Sequence, residues 1–167
     1  MKRDINALTR AYRTKGILVD SNLPLLFLVG AMDREQIPKF KRTMTFAPED
    51  FDTLVGYLAL FSKRITTPNV LTEVSNLGNS LPENLKQDFW SSLNSTFSVL
   101  SETYVPSEAA IFKPECARFG LTDTAITTLV RGKYLLLTED LRLSQFFQNT
   151  GGDVVNFNHL RLMNWNL

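Results

Sequence analysis

Ile17-Leu18-Val19 offers no polar position to either face of a strand, and neither does Leu135-Leu136-Leu137. A strand with one wet face alternates polar and apolar residues, so a run without polar positions is covered on both sides. Strands of that kind belong to parallel sheets, where helical crossovers clothe both faces. From about residue 16 to residue 158 the chain alternates strand-like runs with helical patterns. That alternation predicts an α/β fold, a three-layer sandwich with a central parallel sheet. No repeat, low-complexity tract or linker breaks it, so residues 1–167 are expected to form one domain. A chain of this length can bury roughly 70% of its unfolded surface.

The remaining elements follow from local signals. Residues 1–15 are polar and basic and read as a helical turn or a frayed lead-in. A helix is expected from about 22, and a polar, basic connection with Pro38 from 33 to 45. Pro48 with Glu49, Asp50 and Asp52 marks the start of a second helix, where early acids complement the dipole. A strand near Arg64–Thr67 leads through Pro68 into the helix carrying Glu73. Leu85, Phe89, Leu93 and Phe97 recur four apart and read as a core stripe. Further expectations are a strand-like stretch at Thr103–Val105, a short helix at 107–112, and a helix capped by Thr122 and stopped by Gly132. The chain then reads as a strand at Tyr134–Thr138, a helix at 141–148 and a last strand at Val154–Phe157.

The segment 23–32, LPLLFLVGAM, is about half the length that spans a bilayer. With Asp20, Asn22 and Pro24 at its entrance it reads as a buried helix, not a signal segment. No membrane association is expected. Cys116 is the only cysteine, which excludes an intrachain disulfide and a multi-cysteine zinc site and fits a reducing cytoplasm, the expected location. The net charge of +1 provides no global basic field, so any nucleic-acid contact must use a local patch.

Four acids fall where such a fold gathers its strand ends: Asp20, Glu73, Asp123 and Asp140. Asp20 closes the first strand and Asp140 follows another, so both emerge at the carboxyl edge of the sheet. Asp123 and Glu73 lie early in helices that start from that edge. Two carboxylates about 4 Å apart repel by roughly 4 kcal/mol at an effective dielectric near 20. A chain that brings four together needs protons or a cation. Oxygen donors without cysteine favour Mg²⁺ or Mn²⁺ over zinc, and such ions serve phosphodiester hydrolysis. Each acid also has a structural reading. Asp123 and Glu73 would serve helix dipoles, and Asp140 would cap the helix after it. Asp20, between an apolar strand and an apolar helix, is costly to bury alone and is harder to explain that way.

The pieces ILVDSNLPLLFLVG, TPNVLTEVSN, FGLTDTAI and LLLTEDLRLSQFFQNTGGDVVNF, in this order, resemble the PIN-domain family of metal-dependent nucleases, which includes VapC-type toxin ribonucleases. The resemblance covers most of residues 16–158. It implies a PIN-like domain that hydrolyses RNA phosphodiesters endonucleolytically with Mg²⁺ or Mn²⁺. Asp20, Glu73, Asp123 and Asp140 would be the metal-binding acids, and Asn22 and Thr138 would orient a carboxylate or a water. Asn22 reads equally as the cap of the first long helix, and Thr138 as a cap of the next. The resemblance further implies an RNA substrate and leaves room for an antitoxin partner and a homodimer. The basic connection at 33–47 and the Ser/Asn-rich helix at 82–100 depart from the compact toxin pattern. The alternative is a catalytically silent PIN-like module that binds RNA or protein.

Lys39, Lys41 and Arg42 form the densest basic run, with Phe40 inside it. They would track an RNA backbone while Phe40 stacks on a base, or form a solvated loop with Phe40 tucked into the core. Lys63, Arg64, Arg131, Lys133 and Arg142 are further candidates to frame the acids. His159 lies outside every motif, no nucleophile elbow accompanies it, and Cys116 has no signalled activator. Gly151-Gly152 serves a turn, which excludes a phosphate-binding glycine loop. An acid-nucleophile phosphatase would want a second aspartate where Asn22 stands.

Overall fold

The computed structural model describes residues 4–163. Five parallel strands, β1 (Ile17–Val19), β2 (Arg64–Thr66), β3 (Ser101–Glu102), β4 (Leu135–Thr138) and β5 (Val154–Asn156), make a sheet of order β3-β2-β1-β4-β5. Helices flank it, giving the α/β three-layer sandwich that the all-apolar strands predict. β1 and β4 are buried at every position.

The order of the sheet positions the site. From β1 the chain steps outward to β2 and β3, then returns to the other side of β1 for β4 and β5. Crossovers therefore leave β1 and β4 in opposite directions, and a crevice opens beyond their carboxyl ends, where α/β sheets place their ligands. Pairing Ile17 with Leu135, Leu18 with Leu136 and Val19 with Leu137 sets Asp20 beside Thr138.

α1 (Ile5–Tyr12) is a helix of two turns, not a frayed lead-in. Asp4 caps it and Leu8 and Tyr12 are buried, so packing holds what propensity alone would not. α2 (Asn22–Met32) is apolar nearly all round because it is enclosed: it packs on α3 (Pro48–Ala59), α4 (Pro68–Gly78) and α5 (Glu83–Phe97). Between α2 and α3 the chain makes a 3-10 turn at Arg34–Gln36 and then buries Ile37, Phe40, Thr43 and Phe46. Thr67 caps α4, accepting from the Val70 N–H at 3.2 Å. Gly78, where α4 ends, has the Phe89 ring of α5 against it: an added Cβ would stand 2.3 Å from ring carbons.

The stripe expected on α5 is only partly core. Phe89 is buried and Leu85 and Leu93 pack against the core, whereas Phe97 and the neighbouring Trp90 are about half exposed. The strand expected at Thr103–Val105 lies two residues earlier, because β3 pairs Ile65 with Ser101 and Thr66 with Glu102. After α6 (Glu108–Ile111), the helix α7 (Cys116–Val130) is broken at Gly120, whose φ of +87° suits a residue without Cβ. The expected Thr122 cap is corrected: Thr122 lies just past this break and makes no cap hydrogen bond among the described residues, and Thr124 Oγ1 only back-bonds to the Gly120 carbonyl at 2.7 Å. α8 (Leu141–Asn149) and α9 (Phe157–Leu162) complete the order.

Candidate active site

Each acid stands on a different element. Asp20 follows β1 directly and is 8% exposed. Its backbone N–H donates to the Leu137 carbonyl at 3.0 Å, which locks it to β4. Both carboxylate oxygens are held: Oδ1 accepts from the Ser21 N–H at 2.6 Å and Oδ2 from the Thr138 hydroxyl at 2.7 Å. Thr138 Oγ1 in turn accepts from the Asp140 N–H at 3.0 Å. One hydroxyl thus ties the end of β1 to the start of α8.

Asp140 is the N-cap of α8, its Oδ1 accepting from the Arg142 and Leu143 N–H groups at 2.6 and 3.0 Å. The capping reading of Asp140 therefore holds for Oδ1, while Oδ2 accepts no hydrogen bond among the described residues. Asp123 is half-buried in the first turn after the Gly120 break, and Glu73 is exposed in the second turn of α4. Contact between α4 and α7 brings these two helices together.

Asp123 feels the charges of the other three acids, and Asp20 those of Glu73 and Asp140. Burial pushes the Asp123 carboxyl up to about 7, and the charges of Asp20, Glu73 and Asp140 push in the same direction. Burial raises Asp20 above the usual carboxylate range, opposed by the Thr138 and Ser21 hydrogen bonds and reinforced by Glu73 and Asp140. Among the described residues no lysine or arginine forms an ion pair with any of the four. Equally, among the described residues no three His, Cys, Asp or Glu side chains are gathered as a group that would hold one metal ion.

A fifth acid, Glu139, belongs to the cluster and escapes the sequence reading. Burial raises its carboxyl first, Asp20 and Asp140 add to this, and Asn22 and Arg161 oppose it. Asn22 Nδ2 donates to Glu139 Oε1 at 2.9 Å, so Asn22 orients a carboxylate, and it makes no cap hydrogen bond to α2. Asn156 and Asn158 donate to the Glu139 carbonyl at 3.3 and 2.9 Å. The only available signal was its place inside Thr-Glu-Asp, where nothing separates the two acids. Ser21 also went unnoticed: it is buried and its Oγ has no hydrogen-bond partner. Arg161 stays occupied elsewhere, its guanidinium making two 2.9 Å contacts with Asp50 and others with Asn158 and the Thr45 carbonyl.

The basic residues distribute differently. Lys39, Lys41 and Arg42 are exposed and line a cleft of about 400 Å³ with Ser80, Leu81 and Leu85. None of the acids lines it. Phe40 is 6% exposed, which removes it as a stacking platform and supports the solvated-loop reading of its neighbours. Lys63, Arg64 and Lys133 precede or open β2 and β4, at the amino edge, and Arg131 binds the Thr150 carbonyl and hydroxyl. Of the framing candidates only Arg142 stays beside the acids, in the first turn of α8, where its N–H donates to Asp140. His159 is an exposed residue of α9.

The donors have the chemistry a hard divalent cation takes, oxygen ligands only and negative charge without an ion-paired counter-charge among the described residues, but the carboxylates are not gathered on one point. Among the described residues no helix is long and apolar enough to cross a membrane. No family model, curated protein or solved structure matches the chain.

Proposed function

We propose that this protein is a metal-dependent endoribonuclease of PIN-like type. The observation that carries the reading is the electrostatic coupling of Asp123 to Asp20, Glu73 and Asp140, and of Asp20 to Glu73 and Asp140, with no ion pair to lysine or arginine among the described residues. Asp20 and Asp140 would hold Mg²⁺ or Mn²⁺, with Asp123 and Glu73 completing the site. When bound, such an ion polarises phosphate oxygens and lowers the pKa of a water. Thr138 and the Ser21 N–H fix the Asp20 carboxylate, and Asn22 fixes Glu139, so the chain's part is to hold its oxygens in place before substrate arrives. Lys39, Lys41 and Arg42 would bind backbone phosphates away from the cut.

On this reading the substrate is RNA and the setting is the cytoplasm. A toxin's role with an antitoxin partner, and a homodimer, rest on the resemblance alone. In a cleavage assay with Mn²⁺, Asp20→Asn and Asp140→Asn are expected to abolish hydrolysis while circular dichroism stays unchanged. Retained cleavage by both variants rules the reading out. Binding of RNA without cleavage by the unmodified protein would support the silent module instead.

A further inference from the structure

A second concavity is lined by none of the acids. Between β2 and helices α2, α3, α4 and α5 is a cavity of about 270 Å³ with almost wholly apolar walls. Its floor is made of residues without solvent exposure, among them Leu23, Val70 and Val74. Its rim carries Val55 and Val99, both exposed, so the apolar lining continues out to solvent. Protein interiors rarely leave a void larger than a water molecule, and an apolar void stays dry. A space this apolar and reachable, close to the lower end of the size of small-molecule pockets, has the character of a ligand site.

Three polar side chains interrupt the walls: Arg64 and Thr66 come from β2, and Thr96 comes from α5, where its hydroxyl donates to the Ser92 carbonyl at 2.8 Å. Arg64 is half-buried and, among the described residues, makes no ion pair or side-chain hydrogen bond. Thr66 is 4% exposed and lines the cavity, and its hydroxyl makes no hydrogen bond to another described residue. Two residues apart on a strand, they stand on the same face. Orienting polar groups of this kind, few and convergent in an apolar pocket, fix a ligand's head. A guanidinium and a hydroxyl donor select an anionic head, and the fork of Arg suits a carboxylate.

We propose that this cavity binds a small amphiphilic monocarboxylate, with its carboxylate on Arg64 and Thr66 and its apolar tail between α2, α4 and α5. An apolar cavity of about 150 Å³ takes benzene. By proportion this one takes roughly ten to eleven non-hydrogen atoms, room for the ten carbons of a medium-chain fatty acid such as decanoate with its two carboxylate oxygens at the polar end. The proposal is independent of the nuclease reading, because none of the acids lines the cavity.

Calorimetric titration with decanoate, decanol and acetate tests it on the full chain. Decanoate is expected to bind one per chain, at least 10-fold more tightly than decanol, and acetate not measurably. Arg64→Gln should erase the preference for decanoate over decanol. Val74→Phe, which fills the cavity, should weaken both, and circular dichroism reports whether that variant folds. No saturable one-to-one binding of decanoate overturns the proposal. So does an unchanged decanoate affinity in Arg64→Gln, a result that stands whether or not Val74→Phe folds.

Discussion

Thr138 donates its hydroxyl to Asp20 Oδ2 at 2.7 Å across the β1–β4 pairing, and accepts the Asp140 N–H with the same oxygen. A single side chain therefore sets the position of two acids that are 120 residues apart in the chain. Thr138→Val keeps the shape and removes both bonds. Hydrogen bonds to charged groups are worth about 1.5–3 kcal/mol, so the variant is expected to lose about 2 kcal/mol in urea unfolding. Its cleavage should fall at least 10-fold, and Thr138→Ser should recover most of both.

Asp123 makes the stability of the metal-free protein depend on pH. Its folded carboxyl titrates at about 7, above the usual 3.8. A raised folded value means that its stabilising protonated form is fully present at low pH and is lost as pH rises through 7. Thermal melts in EDTA should therefore show Asp123→Asn matching the parent near pH 4 and exceeding it at pH 8. Saturating Mn²⁺ should raise the parent's melting temperature at pH 8 and leave Asp123→Asn less affected. Parallel melting curves for the two proteins from pH 4 to 8 in EDTA would refute this account of Asp123.

Gly78 tests the packing of α4 on α5. A Cβ there would meet the Phe89 ring at 2.3 Å, and overpacking of this kind costs about 1–3 kcal/mol. Gly78→Ala is expected to lower the melting temperature in spite of the better helix propensity of alanine. A rise would show that Phe89 swings aside.

Lys39, Lys41 and Arg42 are expected to act on affinity rather than on chemistry. Each phosphate contact to a single strand contributes about 0.7 to the slope of log affinity against log salt. Replacing all three by Gln should reduce that slope by about 2 in an RNA-binding titration. The single-turnover cleavage rate at saturating RNA should stay within 2-fold or so of the parent. An unchanged slope would remove the basic cleft from the RNA path.

How much of this was legible depends on what determines each feature. The central strands were readable because burial on both faces leaves only apolar residues, as in Ile17-Leu18-Val19. Asp20 and Asp140 were readable because they follow such strands. Glu139 was not, because the side of the crevice on which it stands depends on Asn22, which is 117 positions away. The edge strand β3 was misplaced because its register comes from β2 and not from its own pattern. Phe97 follows helical spacing, yet α5 runs past the surface it packs on, and spacing alone carries no information about where a neighbour ends. The helix α9 starts directly from β5 on the Asn156 cap, and its six residues are too few to display a period.

The central claim is that the acids around Asp20 and Asp140 seat a divalent ion. The most direct measurement is an anomalous difference map from crystals soaked in Mn²⁺. The account predicts a peak between the carboxylates of Asp20 and Asp140, with Asp123 or Glu73 drawn toward it. A map without a peak there at saturating Mn²⁺, or with manganese bound only at other surface acids, would contradict it.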